Sequence, residues 1–329
     1  SLEEELANFD VEINSCGFDA DTVNYLSAME KQCSPNPHYL SQMQPHLNMT
    51  MRAVLLDWMM EVCAEFTLKR ETYHYAVSYV DRYLSLQPNV PKSEFQLVGV
   101  TALFIASKME EIYPPKVADF VRSCDDGYTA AEILAQENRL IQKLKWTLNP
   151  PTLGTWSNWY LSQWDLYIES APFALNHPLV QKFDESIQFR KPCEKSYSRF
   201  REINQLMDCA ILDIESLQYN PRTLLAAFMY LVLGKHYRQF TVKEIVEEFP
   251  KSSLFLMNSK IALNGLFGEF LHFSFGFELR DLLPSLQYAA TFFRLPLNFD
   301  LPPVAKMNNQ KVLEVTFFQA ITVNLIIFL

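Results

Sequence analysis

Glycine is scarce in this chain, with 8 residues among 329. So few positions of free backbone exclude a glycine-rich phosphate cradle and the dense tight turns of an all-β protein. The 6 cysteines (Cys16, Cys33, Cys63, Cys124, Cys193 and Cys209) include no C-x-x-C pair, so neither a disulfide framework nor a zinc site is indicated. Basic charge is also short: 28 Lys and Arg face 38 Asp and Glu, giving a formal charge of −10. Such a balance argues against a nucleic-acid partner, which needs a basic face. No basic segment followed by an apolar core opens the sequence, so no secretory signal is expected. The apolar run V-T-F-F-Q-A-I-T-V-N-L-I-I-F-L at the end is broken by Gln319 and Asn324 and falls short of the roughly 20 residues of a membrane span. No membrane partner is expected. Catalytic patterns are missing too: the histidines stand in separate elements without H-E-x-x-H spacing, and there is no G-x-S-x-G and no Walker lysine. The chain reads as a non-enzyme with no cofactor, no metal and no catalytic residue.

What remains is 49% hydrophobic and rich in Leu, Met, Phe and Ala at helical spacing, so the fold class is all-α. Residues 1–47 form an N-terminal extension, with a loose acidic start, a short isolated helix over 19–33 and an extended polar linker through Pro35, Pro37 and Pro45. From the Asn48–Thr50 cap onward, helices are predicted at about 51–67, 71–86, 93–111, 116–123 and 129–145, making one bundle over 48–149. A second bundle is predicted over 150–275, with helices at about 152–164, 177–190, 198–216, 220–235, 241–248 and 253–273. Pro284, Pro296, Pro302 and Pro303 predict a C-terminal tail over 276–329, without long helices and wrapped over the second bundle.

Three anomalies stand out. On a helical wheel, Leu55, Trp58, Met59, Val62, Cys63 and Phe66 make a wide apolar arc, beside an acidic stripe of Asp57, Glu61 and Glu65. Met51, Val54, Leu55 and Trp58 border that stripe, so the strip is either core or a groove for a peptide that is basic and then apolar. Arg52 falls inside the arc and needs a buried carboxylate, for which Asp81 is the candidate in an architectural ion pair. Lys108, the third anomaly, ends an otherwise apolar helix. It must snorkel out or meet an acid, and Glu137 is the candidate for a pair at the rim of the bundle.

The segments M-R-A-V-L-L-D-W (51–58), V-D-R-Y-L-S (80–85), F-Q-L-V-G (95–99) and A-S-K-M-E-E-I-Y-P-P-K (106–116) resemble, in order and spacing, the signatures of the first cyclin box. M-E-V-C (60–63), K-R-E-T-Y (69–73), L-K-W-T-L-N-P (144–150) and L-M-D-C-A-I-L-D-I-E-S-L-Q-Y (206–219) are most similar to cyclins of the E type, with the A type next through Y-L-S-A-M-E (25–30). The resemblance covers about 17–275 and implies two consecutive five-helix cyclin boxes. It implies a regulatory subunit that binds and activates a cyclin-dependent Ser/Thr kinase at the G1/S transition, in the nucleus and secondarily the cytoplasm. The family's kinase-binding positions fall on Lys108, Glu137, Met109, Tyr25 and Val23, and its docking groove for R-x-L substrates and inhibitors on Met51, Val54, Leu55, Trp58, Glu61 and Gln96. Its structural pair falls on Arg52 and Asp81. Met109 stands for a usual aromatic or aliphatic residue and Phe95 for a usual leucine, with Lys92 flanking the groove. Neither a destruction box nor an L-x-T-P-P phosphodegron is found. The alternatives are an S/G2 activator of the A type, a cyclin-fold transcription factor, and a scaffold that has lost kinase binding.

Overall fold

The computed structural model describes residues 20–183, 197–251 and 261–294, and among them there is no β-strand. In chain order the helices are α1 (Ala20–Cys33), α2 (Tyr39–Met43), α3 (Met49–Glu65), α4 (Arg70–Leu86), α5 (Lys92–Glu110), α6 (Val117–Ser123), α7 (Ala130–Lys143) and α8 (Leu153–Ser170). They continue as α9 (Pro172–Leu175), α10 (Pro178–Phe183), α11 (Tyr197–Leu212), α12 (Pro221–His236), α13 (Val242–Glu247), α14 (Ala262–Phe275) and α15 (Leu283–Thr291). The described residues fall into two compact units, one of 26–154 with 211–218 and one of 155–210 with 219–294 and the start of α1.

In the first unit α5 is the central helix, buried without a break from Leu97 to Ser107. Helices α3, α4, α6 and α7 surround it. Close approach of α3 is permitted by Gly99, where an added Cβ would stand 2.8 Å from Leu55 Cδ1. Local signals set the helix starts. Asn48 Oδ1 accepts the Met51 N–H at 2.9 Å, and Thr129 with Glu132 closes a capping box on α7. Helix α7 stops through two consecutive left-handed residues, Lys145 and Trp146, and the Trp146 N–H reaches back to the Ile141 carbonyl at 3.1 Å. Just beyond, Arg82 Nη1 donates to the Thr147 carbonyl at 2.9 Å and the Tyr79 hydroxyl donates to that of Leu148, so α4 fixes the chain as it leaves this bundle.

Two expectations are corrected here. The linker over 34–48 is not extended throughout: α2 interrupts it, because Tyr39 and Leu40 are buried and the Tyr39 hydroxyl donates to Asp81 at 2.8 Å. The helix expected over 198–216 stops at Leu212, where Asp213 Oδ1 accepts the Glu215 N–H at 3.0 Å and turns the backbone into a 3-10 segment, Ile214–Gln218. That turn belongs to the first unit, since Arg52 Nη1 donates to the carbonyls of Ile211 and Leu212 at 2.9 and 3.2 Å.

The second unit is an aromatic-rich core around α12, whose residues from Leu224 to Gly234 are all buried. Tyr160 stacks on Phe275 at 3.5 Å between centroids, and Trp164 meets Phe270 edge-on at 5.0 Å. The region read as a helix-poor tail holds α15 within its described part, packed on α12. Pro284 opens that helix rather than breaking it, because the first turn needs no amide donor from it. Residues 1–19, the rest of the helices expected at 177–190 and 253–273, and the tail from 295 onward lie outside the described residues. The cysteines among the described residues, Cys33, Cys63, Cys124 and Cys209, are buried and form no disulfide.

Candidate functional site

The Arg52 guanidinium is completely enclosed. Its Nη2 donates to Asp81 Oδ2 at 2.7 Å and its Nε to Oδ1 at 2.8 Å, a two-pronged pair with 1% and 3% side-chain exposure. Every lone pair that matters is used, since Oδ1 also accepts from Tyr39 and the remaining guanidinium donor serves the end of α11. Burial works against the charge on Arg52, and the Asp81 carboxylate outweighs it, leaving the guanidinium more firmly protonated than usual. Burial and then the Asp81 charge push the Tyr39 hydroxyl well above its ordinary value, so it stays a donor. The cluster ties α2, α3, α4 and the 211–218 turn into one body and has no access for a reactant.

Lys108 and Glu137 form an ion pair across α5 and α7, with the lysine 40% and the glutamate 12% exposed. The ammonium also lies 4.2 Å from the centre of the Phe104 ring, one turn back on α5. Its side chain keeps 40% of its surface exposed, so a visitor's carbonyl groups can reach it. Several apolar side chains close to Lys108 or Glu137 in the chain are exposed. Met109 is 49% exposed, Ile112 81% and Tyr113 91%, with Leu134 of α7 at 42%. Residues 112 and 113 carried no role in the sequence reading. Both lie past the end of α5 at Glu110 and directly before Pro114 and Pro115, which hold the chain out of the helical conformation, and that is the signal that marks them.

The end of α5 that carries this surface is held by a second set of contacts. Glu111 Oε1 accepts the backbone N–H of Lys69 at 2.7 Å and the Thr72 hydroxyl at 2.5 Å. Lys69 Nζ donates to the side chain and the carbonyl of Glu110 at 2.9 and 3.0 Å. Its hydrogen bond to Glu110 first, and the neighbouring carboxylates after it, raise the lysine's affinity for its proton against a small burial cost.

Of the other residues singled out, Tyr25 stands on α1 with 61% exposure and Val23 is half-buried. On α3, Val54 is half exposed, Met51, Trp58 and Glu61 are half-buried, and Leu55 sinks to 6% against Gly99. Gln96 of α5 is half-buried beside them in sequence register, Phe95 turns inward at 5%, and Lys92 is exposed. The strip is therefore partly core, through Leu55, and partly an open surface ending at a carboxylate. No group of His, Cys, Asp and Glu suited to a metal ion occurs among the described residues. No described helix is long and apolar enough to cross a membrane.

Residues 21–149, which contain both the ion pairs and the strip, match the family of the cyclin N-terminal domain. The chain carries a cyclin N-terminal domain. G1/S-specific cyclin-E of Hemicentrotus pulcherrimus is 38% identical to it over 201 residues, 61% of this chain and 44% of that protein. Cyclin-A2 of Bos taurus is 42% identical over 151 residues, 46% of this chain and 34% of that protein. The chain thus spans less than half the length of these curated cyclins. The X-ray structure of a viral cyclin from herpesvirus saimiri aligns over 82% of this chain and 96% of its own, with a TM-score of 0.57 and 15% identity, a likeness of fold. The E-type character read from the motifs, with the A type beside it, agrees with these relatives. Within the cyclin box, the Arg52–Asp81 pair is interior architecture, whereas Lys108, Glu137 and, on the α3 strip, Met51, Val54, Trp58 and Glu61 reach solvent.

Proposed function

We propose that this chain is the non-catalytic regulatory subunit of a cyclin-dependent Ser/Thr kinase, acting in the nucleus to control the G1/S transition. The observation that carries the reading is the Lys108–Glu137 pair, open to solvent chiefly through the lysine, together with the exposed side chains of Met109, Ile112, Tyr113 and Leu134. Exposed apolar side chains together with one cation and one anion suit the end of a partner helix. The lysine donates to backbone carbonyls and the glutamate accepts from amides, while the apolar rim excludes water. Tyr25 and Val23 of α1 add contacts to the same partner in this reading.

A rigid bundle pressed against the kinase C helix holds that helix inward. The kinase's own Lys–Glu ion pair then forms and its activation loop is released. Binding energy spent only on the active arrangement shifts the kinase population towards it, and no chemistry is required of the cyclin. The α3 strip serves a second task. An R-x-L segment of a substrate or inhibitor lays its leucine on Met51, Val54, Leu55 and Trp58 and its arginine towards Glu61, with Gln96 bonding its backbone. The A-type role in S/G2 is the second reading, favoured by the 42% identity to cyclin-A2.

The test is reconstitution with the kinase that co-purifies from cells, identified by mass spectrometry. Lys108→Ala with Glu137→Ala is expected to abolish both co-purification and activation while leaving the fold intact. Full activation by the double variant would overturn the reading.

A further inference from the structure

A cavity of about 400 Å³ opens where the end of α4, the start of α5 and the last turns of α7 meet. It shares none of the residues assigned above to kinase or substrate docking. Its walls include Tyr83 and Gln87 of α4, Asn89 and Glu94 before and within α5, and Arg139 and Lys143 of α7.

The two cations are one turn apart, at i and i+4, so both heads serve one face. Among the described residues neither of them is in an ion pair; the one contact of Arg139 is a long hydrogen bond to Gln136 at 3.4 Å. With Glu94 the lining carries two positive charges and one negative, a net of +1 on a chain of net −10. A positive hollow on an acidic protein focuses anions locally. Helix α5 strengthens the effect, because its cap residue Pro91, also in the lining, supplies no side-chain acceptor; the Glu94 N–H turns back to the Pro91 carbonyl at 3.0 Å, and the amides of Lys92 and Ser93 are left for an outside anion.

The hollow is also held in shape. Gln44 Nε2 donates to the carbonyls of Leu84 and Gln87 at 2.7 and 2.6 Å, and its Oε1 accepts the Val90 N–H at 3.0 Å. Asn89, in the left-handed region at φ 56°, donates its N–H to the Met43 carbonyl at 2.9 Å. One buried amide thus fixes the loop between α4 and α5 before any ligand arrives, which lowers the ordering cost of binding.

We propose that this cavity binds a phosphorylated side chain of a peptide. The phosphate is taken by Arg139, Lys143 and the first-turn amides of α5, and a basic residue nearby on the same peptide is taken by Glu94. A phosphate presents three strong acceptor oxygens, which match two unpaired cations and two helix-start amides better than a single carboxylate does. The acid at the mouth makes a mixed-charge peptide a better fit than a purely anionic one.

Fluorescence anisotropy of the whole chain with a labelled peptide Gly-Ala-phosphoserine-Ala-Lys-Gly and its unphosphorylated twin tests this. The phosphorylated form is expected to bind about tenfold more tightly, the size of one charge-assisted hydrogen bond. Arg139→Glu with Lys143→Glu is expected to erase that preference, whereas Lys31→Glu with Lys251→Glu, an equal change of net charge at exposed sites outside the lining, is expected to keep it. Glu94→Gln is expected to remove the advantage of the peptide's lysine over alanine without touching the phosphate preference. Equal binding of the two peptides overturns the proposal, as does equal loss in the two charge-reversed variants. Binding to phosphatidylcholine–phosphatidylserine vesicles that depends on Arg139 and Lys143, without a phosphopeptide preference, assigns the cavity to a lipid surface and overturns it as well.

Discussion

Glu111 caps a helix it does not belong to: its Oε1 accepts the backbone N–H of Lys69, the residue that precedes α4, at 2.7 Å. Lys69 has no capping side chain of its own, so the acceptor comes from the far end of α5. The Thr72 hydroxyl completes the arrangement. The turn before α4 and the edge that displays Lys108 and Met109 are thereby one structural unit.

Replacing Glu111 by Ala is expected to cost about 1–2 kcal/mol, the size of a lost helix cap, in urea unfolding. Glu111→Gln is expected to recover part of it, since the amide oxygen still accepts from Lys69. An unchanged midpoint in the alanine variant would show that α4 does not rely on this cap.

Asp81→Asn leaves Arg52 buried beside a neutral partner, and a destabilisation of about 3–5 kcal/mol is expected. Tyr39→Phe removes a single hydrogen bond to the same carboxylate and is expected to cost about 1 kcal/mol. Equal losses in the two variants, read from urea midpoints, would contradict the assignment of the ion pair as the dominant contact.

Exchanging the charges, Lys108→Glu with Glu137→Lys, keeps an ion pair at the rim. Thermal unfolding is expected within about 0.5 kcal/mol of the original. Kinase activation is expected to fall by at least about tenfold, because the donor and acceptor facing the partner have traded places. Activation that survives the exchange would mean that the pair only braces α5 against α7.

For the α3 strip, Trp58→Ala is expected to raise KM for an R-x-L-bearing protein substrate by about tenfold or more, the scale of truncating an aromatic side chain at the centre of an interface. Phosphorylation of a short peptide that lacks the motif is expected to stay unchanged. Equal loss on both substrates would remove the strip from substrate choice.

Acid should weaken the chain partly through its capping boxes. Glu132 accepts from the N–H and hydroxyl of Thr129, and Glu244 from those of Thr241, which holds both carboxyls below their ordinary value of 4.5. A lowered value means that the stabilisation is present above pH 4.5 and is lost as pH falls through the folded-state value. Glu132→Gln with Glu244→Gln is therefore expected to flatten the fall in urea midpoint between roughly pH 5 and pH 3. Parallel curves for the variant and the original would rule the boxes out as acid-sensitive elements.

The helices of the first unit were legible because each has an apolar period and a polar or proline boundary; the expected 71–86 and 93–111 lie within one residue of Arg70–Leu86 and Lys92–Glu110. Arg52 and Lys108 were legible as charges in apolar arcs, and the partner of each was the acid nearest to a similar arc. Tyr39 was not. Its five-residue helix lies between prolines and owes its shape to a hydroxyl meeting a carboxylate 42 positions later. The cap supplied by Glu111 was hidden for the same reason, with its partner 42 residues back. The span of α8 was underestimated because the polar Gln163 and Asp165 around Trp164 are buried within the helix instead of ending it, and it runs on to Ser170.

Gly99 lets Leu55 sink until a single added carbon would collide with it. The depth of the α3 surface is consequently governed by an atom the chain does not have. Any larger residue at that position would push the leucine outward and make the hollow shallower without altering one residue that lines it. The relief of that face is thus adjustable from behind.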